Sequence, residues 1–194
     1  MKRPVEVLTK SEVNQLIAKC SRRAPTGVRN RALITILYRS GLRLGEALAL
    51  RPKDIETEET STIRILHAKG DKSRVVSMDE QAFAVLDHWI DARKKLGIGN
   101  GSPIFCTLAG KSINSTQIRA WFRQLGRKCG IEKRVHAHGL RHTFAFELAN
   151  EGIPIHVIQH ALGHANVAIT SLYISHLSPT VVIDTLKSRE WAAA

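Results

Sequence analysis

No stretch of this chain approaches the ~18 consecutive apolar residues of a membrane span. Its charged start, Met1-Lys2-Arg3-Pro4-Val5-Glu6, has no apolar run behind it, so no export signal is expected. The expected surrounding is cytoplasmic and reducing. Cysteine is scarce: Cys20, Cys106 and Cys129 are odd in number, widely spaced and without any Cys-x-x-Cys pair. That pattern predicts three buried thiols rather than disulfides or a metal site. Internal repeats and low-complexity segments are missing too. Acidic residues are few, 17 Asp and Glu against 29 Lys and Arg, for a net charge of +12 and a pI near 10.1.

What remains is a chain of 194 residues, 43% hydrophobic. It is too apolar for disorder and long enough for one compact domain that buries about two-thirds of its unfolded surface. The positive charge is spread through it, with 19 basic and 12 acidic residues in 1–95 and 10 and 5 in 96–194. A domain this basic commonly faces a polyanion, nucleic acid first. A generally soluble basic surface has the same charge, so charge alone does not separate the two.

Thr9-Lys10-Ser11-Glu12 is a capping box and predicts a helix to about Arg22 with Val13, Leu16 and Ile17 inward. Pro25-Thr26-Gly27 is expected to break the chain before a second helix that ends at Gly41, with Leu33, Ile34, Ile36 and Leu37 inward. A short helix around Gly45–Leu50 stops before Pro52. Ile63, Ile65, Val75 and Val76 flank Lys69-Gly70-Asp71-Lys72, which predicts a β-hairpin with a Gly-Asp turn. Helical periodicity returns over Asp79–Leu96, and Pro103-Ile104-Phe105 reads as a brief extended piece. Further helices are expected at Ser115–Lys128, Gly139–Glu151, Pro154–Ala161, Val167–Ser175 and Pro179–Lys187. The fold class is mainly α with a small antiparallel β-sheet.

Imidazoles, a guanidinium and a phenol crowd one short region: His138-Gly139-Leu140-Arg141-His142, Leu162-Gly163-His164 and Thr170-Ser171-Leu172-Tyr173. A second guanidinium lies upstream in Gly41-Leu42-Arg43-Leu44-Gly45-Glu46. Singly, each is unremarkable: Arg43 can simply pair with Glu46, three residues on, and Tyr173 can be half-buried with its hydroxyl in water. Together they suit a hydroxyl attacking a phosphodiester. Guanidinium forks match the non-bridging oxygens of a phosphate under attack, and such preorganised donors are often the largest catalytic contribution. An imidazole can move the nucleophile's proton. A lysine on a hairpin tip can supply one to the alkoxide leaving group. His136-Ala137-His138 with His142 and His164 could also be a metal cluster, but no Asp, Glu or Cys joins at ligand spacing. No metal and no cofactor is expected.

These motifs resemble the catalytic domain of the tyrosine recombinases, the phage-integrase family. The resemblance runs from Leu8-Thr9 to about Ser175. It rests on His138-Gly-Leu-Arg-His-Thr-Phe-Ala145, on Leu162-Gly163-His164 with Tyr173 nine residues later, on Gly41-Leu42-Arg43 with Glu46, and on Ala68-Lys69-Gly70-Asp71-Lys72-Ser73-Arg74. It implies that Arg43 and Arg141 hold the scissile phosphate, that His138 helps move the nucleophile's proton, and that His164 hydrogen-bonds the phosphate. Lys69 is implied as the proton donor to the 5′ oxygen, with Lys72 the alternative should the hairpin register slip. Glu46 is an orienting partner, and Tyr173 attacks to leave a 3′-phosphotyrosyl bond. His142, His156, His160 and His176 are expected at the surface or in helix packing.

The resemblance further implies that Arg119 and Arg123 approach the major groove and that Lys72 is a DNA contact, although the helix carrying the two arginines also reads as a solvated amphipathic face. The implied domain spans 1–177. A tail over 178–194 docks either on a neighbouring protomer or on its own domain. The family's N-terminal helical domain has no room before Leu8 and is expected to be absent.

The implied activity is site-specific recombination or integration, with metal-independent strand cleavage and religation, serving a mobile element or host process. The implied partner is double-stranded DNA, with self-association on it from dimer to tetramer in synapsis. No membrane and no small-molecule substrate is implied, and the location is nucleoid-associated. The alternatives are type IB topoisomerase-like relaxation, or a non-catalytic regulator in which Pro154–His176 reads as a helix-turn-helix look-alike.

Overall fold

The computed structural model describes residues 7–56, 60–66, 73–164 and 187. The expected hairpin tip, with Lys69 and Lys72, lies outside them, as do Tyr173, His176, the helices expected over 167–175 and 179–187 (all but residue 187) and the expected tail.

Helix α1 (Lys10–Lys19) opens on the expected box, with Thr9 accepting from the Glu12 amide and Glu12 accepting from the Thr9 amide. It stops three residues before Arg22, because the Ser21 hydroxyl accepts from the amides of Arg23 and Ala24 and turns the chain. Helix α2 (Pro25–Arg39) corrects the expected break. Pro25 opens this helix rather than preceding it, since its fixed φ and missing N–H are tolerated at the first helical position. The run Ala32-Leu33-Ile34-Thr35-Ile36-Leu37 is buried on every side, as a helix at the centre of a domain must be. Around it pack α1, α4 (Glu80–Lys95) and α6 (Ala137–Asn150).

At the C-terminus of α2 the chain turns through Gly41 at φ +63°, where a Cβ would come within 2.4 Å of the Phe144 ring. Only glycine both adopts this conformation cheaply and lets α6 approach so closely. Helix α3 (Leu44–Ala49) follows at once.

A three-stranded antiparallel sheet follows, β1 (Ile55–Glu56), β2 (Thr62–Ile65) and β3 (Arg74–Ser77), in that order. Ile63 pairs with Val76 and Ile65 with Arg74. The expected hairpin strands are therefore present, and β1 is an addition. Of the residues flanking the turn, Ile63, Ile65 and Val76 are buried while Val75 is 52% exposed, and Arg74 takes the remaining inward position. Strand alternation requires this, because Arg74 and Val76 share a face.

Trp89 of α4 is fully buried and donates its indole N–H to the Ile104 carbonyl at 2.8 Å. Arg93, equally buried, donates to the carbonyls of Gly99, Ser102 and Pro103 and closes the Gly/Asn/Ser-rich loop. The expected extended piece at 103–105 is a bend, followed by a single bridge between Cys106 and Ser112. Helix α5 (Ser115–Lys128) has the expected bounds, and α7 (Ile155–Leu162) begins one residue later than expected. Cys20 and Cys106 are buried thiols, whereas Cys129 is partly exposed. Among the described residues no helix is long and apolar enough to cross a membrane.

Candidate active site

Arg43 caps the N-terminus of α3. The Glu46 carboxylate, on the first turn, accepts from the Arg43 amide (2.8 Å) and from its Nη1 (2.8 Å). A carboxylate suits this place, because the helix start presents unpaired N–H groups and the positive end of its dipole. Glu46 also receives a two-pronged contact from Arg74 of β3, Nη1 to Oε1 at 3.0 Å and Nη2 to Oε2 at 2.8 Å. Burial alone would raise this carboxyl. Hydrogen bonds from Arg74 and Arg43, with the charge of Arg74, outweigh it and bring Glu46 down to about 2. Glu46 thus joins two guanidinium groups, where the sequence suggested one.

The C-terminus of α7 supplies the second half. Arg74 Nε donates to the Ala161 carbonyl at 3.1 Å, Arg141 Nη2 to that of Leu162 at 2.6 Å, and Arg43 Nη2 to that of Gly163 at 3.3 Å. Three arginines from three elements therefore hold three consecutive carbonyls at the negative end of a helix. Gly163 caps α7 at φ +62°, and a Cβ there would lie 2.8 Å from Arg74 Nη1. Its conformation and this contact both require glycine.

Arg43 and Arg141 are thereby brought together, but they are not equivalent. Arg43 is partly open. Arg141 is 0% exposed, and it donates to the Gly41 carbonyl at 2.5 Å as well as to Leu162. Its Nη2 also lies 2.8 Å from His164 Nε2. A guanidinium only donates, so His164 Nε2 accepts and any ring proton sits on Nδ1.

His138 opens onto the same cleft, its ring edge-to-face with that of His142 at 4.3 Å. His142 is half-buried packing, while His156 and His160 are exposed, all as expected. His136 has a structural task, its Nδ1 accepting from the Gly139 amide to cap α6.

A cavity of about 340 Å³ is lined by Arg43, Arg119, Arg123, Arg134, His136, His138 and Arg141. The expected pair Arg119 and Arg123 on α5 therefore faces the catalytic candidates. Arg134 joins them, although no motif marked it. Sequence reasoning also missed Arg74. The signal was available: a strand that turns Val76 inward turns Arg74 inward too, and a buried guanidinium needs a carboxylate.

All four imidazoles around the cleft lie below the usual histidine range. Partial burial followed by the charge of neighbouring cations, Arg141 above all, lowers His138. Burial and then the adjacent His138 push His142 down to about 3, and burial with Arg141 and Arg43 pushes His164 down to about 4. Burial and Arg134 also lower His136. The unfolded chain takes up these protons near pH 6.5 and the folded chain does not, so stability falls as pH drops from about 6.5 towards 4. The largest part of this slope should come from His142 and His164, the two brought furthest down. Urea midpoints measured between pH 7 and pH 5 should fall, and H164Q should remove part of the slope. A flat profile would contradict the neutral cluster.

The helical scaffold, the small sheet and the arginine-lined cleft define a class, and sequence comparison gives the same one. Residues 6–178 match the phage integrase family, and the chain belongs to it. It is 36% identical over 154 residues to tyrosine recombinase XerC of Xanthomonas axonopodis pv. citri (strain 306), covering 79% of this chain and 48% of that protein. The chain spans about half the length of the curated relatives it matches. The XerA recombinase crystal structure superposes with a TM-score of 0.82 at 32% identity, over 98% of this chain and 68% of that one. A post-cleavage complex of XerH site-specific recombinase bound to palindromic difH substrate gives 0.75 at 28%, over 95% and 53%.

Proposed function

We propose that this chain is the catalytic domain of a site-specific DNA recombinase that cuts and rejoins strands through a 3′-phosphotyrosyl link, without a metal ion. The observation that carries this reading is the convergence of Arg43 and Arg141 on adjacent carbonyls at the wall of one basic cleft. The tyrosines add a second argument. There are only two, and the Tyr38 hydroxyl is buried and donates to the Glu147 carboxylate at 2.7 Å. Burial and that carboxylate push its pKa upward, so its phenolate is inaccessible. Tyr173 is the phenol that remains.

In this reading DNA lies across the cleft. Arg119, Arg123 and Arg134 meet its backbone, and double-stranded DNA is the partner. The Tyr173 oxygen attacks phosphorus as its proton passes to His138, which is neutral at pH 7. The bond from phosphorus to O5′ breaks, and Lys69 protonates that oxygen. Lys72 is the alternative donor. Arg43 and Arg141 hold the non-bridging oxygens. Arg141 acts from the cleft floor, and exchange of its His164 contact for a phosphate oxygen leaves His164 Nε2 beside the same phosphate, the ring donating there once it carries its proton on that nitrogen. Attack by a free 5′ hydroxyl reverses the sequence and rejoins strands. Residues 1–177 form the catalytic unit, and 178–194 a tail that docks on a neighbouring protomer as copies assemble on DNA. The site of action is the cytoplasm, on the nucleoid.

The test is incubation with nicked suicide duplexes from a randomised pool. A denaturant-resistant protein–DNA adduct is expected, at undiminished yield in excess chelator. Strict Mg²⁺ dependence of cleavage would contradict the arginine clamp. DNA binding without any adduct would favour a non-catalytic regulator. Relaxation of supercoiled plasmid without strand exchange would indicate topoisomerase-like chemistry.

A further inference from the structure

We infer that Arg74 is a positioning residue of this cleft, acting through the shared Glu46 carboxylate to set both the orientation and the effective charge of Arg43. The inference rests on the phosphate-clamp reading above and extends it to a residue that touches no substrate.

Three observations lead to it. Arg74 and Glu46 are both almost fully enclosed, with side chains 4% and 5% exposed, and they meet through a two-pronged contact. The same Oε1 that accepts from Arg74 Nη1 also accepts from Arg43 Nη1. Arg74 is fixed in turn from its other side, by Ala161 and by the space that Gly163 leaves for it.

The charge balance explains why a second guanidinium is needed. Arg43 paired with Glu46 alone is neutral, and a neutral pair attracts a phosphodiester poorly. Adding Arg74 leaves the trio at +1 and divides the carboxylate between two donors. Arg43 then keeps net charge for the cleft, where a low dielectric magnifies it. The geometry matters as much, because two anchored forks fix a planar carboxylate and the carboxylate fixes Arg43. A lysine in place of Arg74 retains the charge but cannot supply the two-pronged contact. Arg74 opens β3, the strand leaving the lysine hairpin, so the sheet and the phosphate clamp share one anchor.

The experiment compares R74M and R74K with the wild type on the suicide duplex that the wild type captures best from the randomised pool. A matched duplex carries an uncharged methylphosphonate at the scissile position. R74M should cleave the phosphodiester about 100-fold more slowly, the scale of a small misplacement of a catalytic group. On the methylphosphonate the deficit should shrink to a few-fold, because there is no phosphate charge left to hold. In an R43A background, R74M should add almost nothing. R74K should fall between, and it carries the comparison alone should R74M not fold. Equal deficits on both duplexes, or full additivity with R43A, would mean that Arg74 merely supports the fold.

A second readout requires no catalysis. Rotation of the Arg43 guanidinium, followed by ¹⁵N NMR, should be restricted in the wild type and released in R74M, R74K and E46Q. Unchanged rotation overturns the inference whatever the cleavage result. A wild type that forms no adduct while Arg43 is released in the variants overturns the recombinase reading instead.

Discussion

Y173F is expected to form no denaturant-resistant adduct with any suicide duplex, while its equilibrium DNA binding stays within a few-fold of the wild type. The substitution removes one oxygen and keeps the ring, so a packing role for Tyr173 would be largely preserved. Only a bond made through that oxygen is lost. Where a covalent nucleophile acts with its partners, deleting it costs on the order of 10⁶ in rate, well below detection in a gel assay. The other tyrosine gives the control. Y38F should cost stability, because Glu147 loses its donor, yet it should leave the adduct in place. An adduct with Y173F, or its loss with Y38F in a chain that remains folded, would mean that the wrong phenol has been assigned.

R141A is expected to lower cleavage by about 10³, the upper range for removal of one preorganised donor at a developing negative charge. It should also lower stability, which R43A should do far less. Arg141 is fully enclosed, with the Gly41 and Leu162 carbonyls and His164 Nε2 as acceptors. Each acceptor left buried without a partner costs about 1–3 kcal/mol. R141K should recover part of the stability and little of the rate, since a point charge cannot span these acceptors. The measurements are a urea titration and single-turnover cleavage on the same preparations. A stable R141A of unchanged rate would show that the guanidinium is neither a staple nor a clamp.

The two arginines show how far local reading goes. Arg43 lies at a helix start with Glu46 on the first turn, and the spacing alone predicted their contact. Arg141 carries the same charge in an equally recognisable motif, but nothing local said that it would be enclosed while Arg43 stayed open. That difference comes from Gly41 and Leu162, 100 and 21 residues away. Arg74 was hidden for a related reason. Its place follows from strand register, but its meaning follows from Glu46, 28 residues back. Helix ends moved where a short-range competitor intervened, as at Ser21, where proline was taken for a stop when it was a start, as at Pro25, and by one or two residues elsewhere, as at α6 and α7.

By itself the sequence determined the helices among the described residues, the hairpin strands, the basic excess and the set of groups available for phosphate chemistry. Each of these depends on neighbours a few residues apart, through periodicity, capping and turn geometry. Tertiary structure decided which arginine is open and which is enclosed, that one carboxylate serves two guanidiniums, and that the cleft imidazoles are held below their ordinary range. Those properties are set by burial and by charges arriving from distant segments, and electrostatic strength depends on the surrounding dielectric, which exists only once the chain has packed.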